Sequence, residues 1–227
     1  MKVSFTATSS TVNNAANDVT KAIISTDTDG ATIDMSSAQG VYTLTGGDGV
    51  DKLTGSAGAD TINAGKGDDE ITVAAAGKAD TDVMDGGDGT GDVLKLSAGK
   101  HTFGDDNKLK NIEKIETNSS GSEVILTAQK EALEITGGDG VDKITGGEGV
   151  DTINAGKGDD EITVAAAGKA DTDVMDGGDG TGDVLELSAG KHTFGDDNKL
   201  KNIEKIETDS SGSEVILTAQ KLSLIHI

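Results

Sequence analysis

GGDGVDKLT (46–54), GSAGADTIN (55–63) and AGKGDDEIT (64–72) stand in tandem near the start of the chain, three nonapeptides with Gly at position four, Asp at position six and Leu or Ile at position eight. Small glycines allow tight backbone turns, and the last three residues of each nonapeptide alternate polar and apolar as a short strand does. Each nonapeptide therefore reads as half a coil. Two make one turn of a flattened helix, with Leu53, Ile62 and Ile71 facing inward and ladder hydrogen bonds running from coil to coil.

The same block returns as GGDGVDKIT (137–145), GGEGVDTIN (146–154) and AGKGDDEIT (155–163). It belongs to a longer duplication in which residues 46–130 reappear at 137–221, an offset of 91. Only Leu53/Ile144, Ser56/Gly147, Ala57/Glu148, Ala59/Val150, Lys95/Glu186 and Asn118/Asp209 differ. Near-identical neighbours suit an array in which each unit stacks on the next. The offset is close to five coils of about 18 residues, which suits one continuous solenoid.

A looser return, GGDGTGDVLKL (86–96) and GGDGTGDVLEL (177–187), carries one extra residue, Gly91 or Gly182, before its Asp, and AAAGKADTD (74–82) offers a further turn. The segments KHTF (100–103), NIEKIET (111–117), SEVILTA (122–128) and EALEIT (131–136) read as additional strands, as do ATIDM (31–35) and GVYTLT (40–45) ahead of the repeats. Residues 1–20 have no periodicity. The predicted organisation is a leader with lead-in strands over 1–40, a first solenoid unit over 41–130 and a second, near-identical one over 131–221. The last six residues, LSLIHI (222–227), replace the expected continuation and resemble a translated sequencing-adapter end, so they are set outside the fold as an artefact of a truncated reading frame.

Composition agrees with an unconventional core. Aromatics are 2% of the 227 residues, and 41 acidic residues against 19 basic ones leave a net charge of −22. A compact state with that charge repels itself unless cations neutralise it. Such a surface excludes nucleic acid and anionic membranes as partners, because both are bound through Lys and Arg. Without cysteine there are no disulfides and no thiolate sites. No stretch is apolar enough to span a membrane, and the N-terminus lacks the apolar core of a cleavable signal.

The nonapeptides resemble the RTX, or haemolysin-type, calcium-binding repeat G-G-x-G-x-D-x-U-x. That resemblance implies an all-β fold, a right-handed parallel β-roll or β-solenoid with calcium between turns two repeats apart. The implied side-chain ligands are Asp51, Asp60, Asp69 and Asp92 in the first unit and Asp142, Asp151, Asp160 and Asp183 in the second. The implied turn carbonyls are those of Gly47, Gly49, Gly65 and Gly67, and of Gly138, Gly140, Gly156 and Gly158. Asp51 pairs with Asp69 and Asp142 with Asp160 on this rule; Asp69 with Asp92 and Asp160 with Asp183 extend the same edge past the inserted glycine. Asp60 and Asp151 lie on the other edge, with Asp80 or Asp82 and Asp171 or Asp173 as partners. All-oxygen ligation by carboxylates and carbonyls is what a hard ion such as calcium requires.

Asp48, Asp68, Asp88, Asp139 and Asp159 fall at variable positions and read as surface charge. STDTDG (25–30) has Ser at the first position of an EF-hand loop and Ser36 at the twelfth, where the bidentate Glu belongs, and reads as a turn. His101 and His192 have no zinc-ligand pattern around them and read as surface or packing residues. No hydrolase or nucleotide-binding motif is present, so the chain is expected not to be an enzyme. What the resemblance implies is a calcium-folded structural region of a secreted bacterial protein, extracellular or on the cell surface. S-layer or adhesin-like roles follow, with other surface-layer subunits or cell-surface glycans as partners and type I export. The alternative is the accessory calcium domain of a secreted hydrolase or toxin.

Overall fold

In the computed structural model, residues 4–7, 11–12, 21–25, 28–75, 77, 80–164, 171–196, 198–209 and 212–218 are described, with side chains from residue 28 onward. LSLIHI and most of the leader lie outside them, as does part of STDTDG and of AAAGKADTD. Among the described residues every regular element is a strand, and the strands pair in parallel. The chain forms two compact units, Met1–Ser97 with His101–Ile115, and Ala98–Lys100 with Glu116–Ile227. Each is a β-solenoid.

In the first unit, strands Thr32–Asp34, Lys52–Thr54, Glu70–Val73 and Val93–Leu96 stack into one sheet. Tyr42–Thr45, Thr61–Asn63, Val83–Asp85 and Leu109–Lys110 stack into the opposite one. Taken in chain order, these eight strands alternate between the two sheets, as half-coils do. Register then follows from the apolar position. Ile33, Leu53, Ile71 and Leu94 are in-register partners, facing the column Leu44, Ile62, Met84 and Leu109. All eight are buried. A one-residue slip would turn an entire column outward, and each such side chain contributes about 1.5–3 kcal/mol by leaving water.

The second unit repeats this with Val124, Ile144, Ile162, Leu185 and Ile206 on one side and Ile135, Ile153, Met175 and Leu200 on the other. Strand Gly190–Phe194 pairs with Ser213–Leu217 beside them.

Two expectations change. Coils are not uniformly 18 residues long: 18 separate Asp51 from Asp69, 22 separate Asp60 from Asp82 and 23 separate Asp69 from Asp92. Only the nonapeptide stretch keeps the short period, because the later coils add residues in their turns while the three-residue strands stay aligned. The lead-in is also a coil of the first unit. Ala31 donates its N–H to Asp51 as Ser122 does to Asp142, although between 28–45 and 119–136 only Gly30/Gly121 and Thr45/Thr136 are identical.

Glycine is required in these turns for two different reasons. Gly67 has φ of 129°, in the left-handed region where side chains are strained. Gly46 does not; there a Cβ would overlap the carbonyl of Ala64 in the next coil. Close approach of the coils, more than backbone freedom, selects glycine at the head of the repeat.

Candidate metal centre

Each repeat aspartate sits one residue ahead of its strand, so its C=O joins the ladder, accepting from Glu70 at Asp51, Val83 at Asp60 and Val93 at Asp69, while its N–H is left for a side chain of the next coil. On one edge of the first unit the carboxylates form a hydrogen-bonded column along the solenoid. The Asp51 N–H donates to Asp69 Oδ1 at 2.7 Å, the Asp69 N–H to Asp92 Oδ1 at 2.7 Å, and the Asp92 N–H to Glu113 Oε2 at 2.9 Å. On the other edge the Tyr42 N–H donates to Asp60 Oδ1 at 2.8 Å, and the Asp60 N–H to Asp82 Oδ1 at 2.8 Å.

The second unit builds the same two columns. Asp142 donates to Asp160 at 2.8 Å, Asp160 to Asp183 at 2.7 Å and Asp183 to Glu204 at 2.9 Å. Asp151 receives Leu133 at 3.1 Å and donates to Asp173 at 3.0 Å. Of the candidates on the second edge, Asp82 and Asp173 are the ones that accept the N–H groups of Asp60 and Asp151. Asp80 and Asp171 instead accept the N–H groups of Thr102 and Thr193.

The eight aspartates singled out in the sequence are all buried, at most 2% exposed, but they are not equivalent. Asp51, Asp60, Asp142 and Asp151 use their second oxygen to accept the N–H four residues earlier, from Gly47, Ser56, Gly138 and Gly147. Asp69, Asp92, Asp160 and Asp183 leave Oδ2 buried with no hydrogen-bond partner. An ionised oxygen held so is costly unless a cation meets it. Burial pushes Asp69 and Asp160 up to about 6, with neighbouring carboxylates adding to the shift, and raises Asp92, Asp183 and Asp142 as well. The donor set fits a hard divalent ion.

Among the described residues no three His, Cys, Asp or Glu side chains converge as a ready-made metal cluster, so backbone oxygens have to complete any shell. The carbonyls of Gly47, Gly65, Gly138 and Gly156 point along the axis and accept N–H groups of the next coil, from Lys66, Asp88, Lys157 and Asp179. A Cβ on Gly67 would lie 2.5 Å from the carbonyl oxygen of Gly49, and one on Gly158 2.7 Å from that of Gly140, which places those two oxygens between adjacent turns.

The family model for the RTX calcium-binding nonapeptide repeat matches residues 43–74 and 134–164, in four copies. The chain carries RTX calcium-binding repeats. Calcium is accordingly their cofactor. Neither a curated protein nor a solved structure matches the chain. The matched RTX segments contain Asp51, Asp60 and Asp69 and their second-unit copies, whereas Asp82, Asp92, Glu113 and their copies lie beyond them.

Glu113 and Glu204 were not legible as members of the column. They sit in NIEKIET, which has no nonapeptide spacing; the one available signal was an acid placed one residue ahead of a strand, as the repeat aspartates are. His101 and His192 are wholly buried, each with Nε2 on a backbone carbonyl, Ser97 at 2.8 Å and Ser188 at 2.9 Å, which assigns them to packing. Asp68 and Asp159 are exposed, in keeping with surface charge, yet each accepts an N–H from the inserted turn, Thr90 and Thr181.

Proposed function

We propose that this chain is the calcium-folded structural repeat region of a secreted bacterial surface protein, S-layer or adhesin-like, and not an enzyme. The observation that carries the reading is the set of buried carboxylates whose Oδ2 atoms lack a partner, at Asp69 and Asp160 above all. They lie in a chain with 41 acidic and 19 basic residues. Bound calcium supplies the positive charge that lets these oxygens stay ionised inside the turns. Asp51 with Asp69, and Asp142 with Asp160, hold it in each matched block, with Gly49 and Gly140 contributing carbonyls; Asp60 with Asp82, and Asp151 with Asp173, serve the opposite edge.

A cytoplasm poor in calcium leaves such a chain short of its folding energy and competent for export, and roughly millimolar calcium outside supplies it. Both units are uninterrupted coils with no inserted catalytic segment in the described residues, which favours a structural role. A calcium titration followed by circular dichroism tests this. Strand signal should rise with calcium and fall with chelator; a signal indifferent to both overturns the reading. Surface location is tested by immunolabelling intact cells that express the complete gene, and an enzymatic domain encoded in the same gene would replace the surface role with an accessory one.

A further inference from the structure

We propose that the strand Ser213–Leu217 docks a further repeat coil from another polypeptide, one headed by the nonapeptide G-G-x-G-x-D-x-U-x and entering in parallel. The inference goes beyond the calcium reading, because the contacts that carry it are backbone hydrogen bonds and apolar packing.

The duplication supplies an internal comparison. Residues 119–130 and 210–221 are identical, SSGSEVILTAQK, and the strands within them, Ser122–Ile125 and Ser213–Leu217, belong to the same unit. The first is covered by Lys143–Thr145, with Val124 opposite Ile144. Leu126 donates its N–H to the Thr145 carbonyl at 3.0 Å, and the Gln129 carbonyl accepts the Glu148 N–H at 2.6 Å. Ser122, Val124 and Leu126 are buried there. The second strand has a parallel neighbour in Gly190–Phe194 and, among the described residues, none on its other side. Ser213, Val215 and Leu217 are accordingly left partly exposed.

The uncovered edge keeps the shape of the covered one. Gly121 and Gly212 share a left-handed φ, 84° and 92°. A Cβ on Gly121 would stand 2.5 Å from the Val141 carbonyl oxygen of the covering coil, whereas one on Gly212 would meet nothing within 4 Å. Solenoids close their ends with coils that are polar on the outer side, and exposed edges are blunted by proline or by inward-pointing charge. The sequence Ser-Glu-Val-Ile-Leu is instead that of an interior coil, and strand addition satisfies it.

A carboxylate sets what the edge selects. Asp142 Oδ1, one residue ahead of the covering strand, accepts the Ser122 N–H at 2.7 Å. A partner on Ser213 needs the same group, which is position six of the nonapeptide. A second folded copy of this chain does not offer it. Its nonapeptide heads are already covered, Lys52–Thr54 by Thr32–Asp34 and Lys143–Thr145 by Ser122–Ile125. The residues ahead of its first two strands, Val3 and Ser10, are not acidic, and LSLIHI carries no acid either.

The test uses the full chain in calcium with a fluorescently labelled synthetic peptide of residues 131–154, EALEITGGDGVDKITGGEGVDTIN. Anisotropy should show saturable binding of one peptide per chain, and amide exchange over 213–217 should slow by at least about tenfold. Ile144→Lys in the peptide, or Leu217→Pro in the chain, should each weaken binding by at least about tenfold. Proline removes the N–H that the partner would accept and is tolerated on a sheet edge. A chain with intact strand signal that binds no peptide overturns the inference. So does binding that survives Leu217→Pro, which would put the peptide elsewhere, for instance on Ser122–Ile125 in place of its own cover. Should Leu217→Pro not fold, the peptide variant and the exchange at 213–217 decide. Calcium-dependent oligomers in sedimentation that the peptide does not disperse would give the edge to a second copy. Binding that appears only after removal of residues 222–227 would give it to the chain's own tail, and either result overturns the proposal.

Discussion

The main-chain N–H of Asp51 donates to Oδ1 of Asp69 at 2.7 Å across 18 residues of chain, while Oδ2 of the same carboxylate is buried with nothing to accept. One oxygen of Asp69 therefore does structural work with or without metal, and the other is useful only with it. The two roles separate by substitution. Asp69→Asn keeps an acceptor for Asp51 and removes the buried charge, so in chelator at pH 7.5 its urea midpoint should equal or exceed that of the parent, while calcium affinity falls at least about tenfold, or about 1.4 kcal/mol. Asp69→Ala strands the Asp51 N–H and should lose about 1–3 kcal/mol in chelator as well. Equal behaviour of the two variants in chelator would contradict this division.

Calcium and protons compete for the same oxygens. Burial holds Asp69 and Asp160 at about 6 in the folded chain, above the ordinary aspartate value of 3.8. A folded-state value that is raised means that the metal-free fold takes up protons as pH falls from about 6 towards 4, and that what these groups add to its stability is lost as pH rises through 6. Calcium binding should therefore release protons near pH 6 and almost none at pH 8. Calorimetry in buffers of different ionisation enthalpy reads this directly; a proton count independent of pH would refute it.

Close coil approach predicts a sharp ranking among the glycines. Gly46→Ala drives a methyl into the backbone of Ala64, and Gly67→Ala adds left-handed strain to a methyl 2.5 Å from the Gly49 oxygen. Gly104 has open space and an ordinary φ. In calcium, thermal melts should show the first two losing at least about 2 kcal/mol, with Gly104→Ala within about 0.5 kcal/mol of the parent.

Why some of this was legible in the sequence and some was not has a physical basis. Leu53, Ile62 and Ile71 announce the coil because side-chain alternation within a three-residue strand and the nine-residue spacing coincide, so the inward face is written at fixed intervals. The pairing of Asp51 with Asp69 is what the RTX resemblance implies for turns two repeats apart, and the spacing says which residues those are. The lead-in coil was less visible, because it conserves the coil through buried apolar positions, with Ile33 and Leu44 where the later copy has Val124 and Ile135. Any aliphatic residue satisfies those positions. Glu113 was invisible for a related reason. Its contact with Asp92 is fixed by how strands align across a turn of irregular length, and turn length is the quantity that a fixed period cannot supply.

Acid acts on the core in the opposite direction to its effect on the turns. His101 is fully buried, its Nε2 donates to the Ser97 carbonyl at 2.8 Å, and burial lowers its pKa despite Asp80 nearby, which favours the cation. A histidine whose folded value is depressed contributes stability that is present above its unfolded value of about 6.5 and is lost as pH falls below it, because unfolding then takes up a proton. Saturating calcium keeps the column carboxylates from titrating, so the melting temperature of the loaded protein should drop between pH 7 and 5.5. In His101→Gln the amide can still donate to Ser97 but carries no titratable group, and that part of the slope should flatten. Melting curves at saturating calcium across this range, for parent and variant, decide it: parallel slopes would mean that His101 stays neutral in the unfolded chain too, or that the acid sensitivity belongs to other groups.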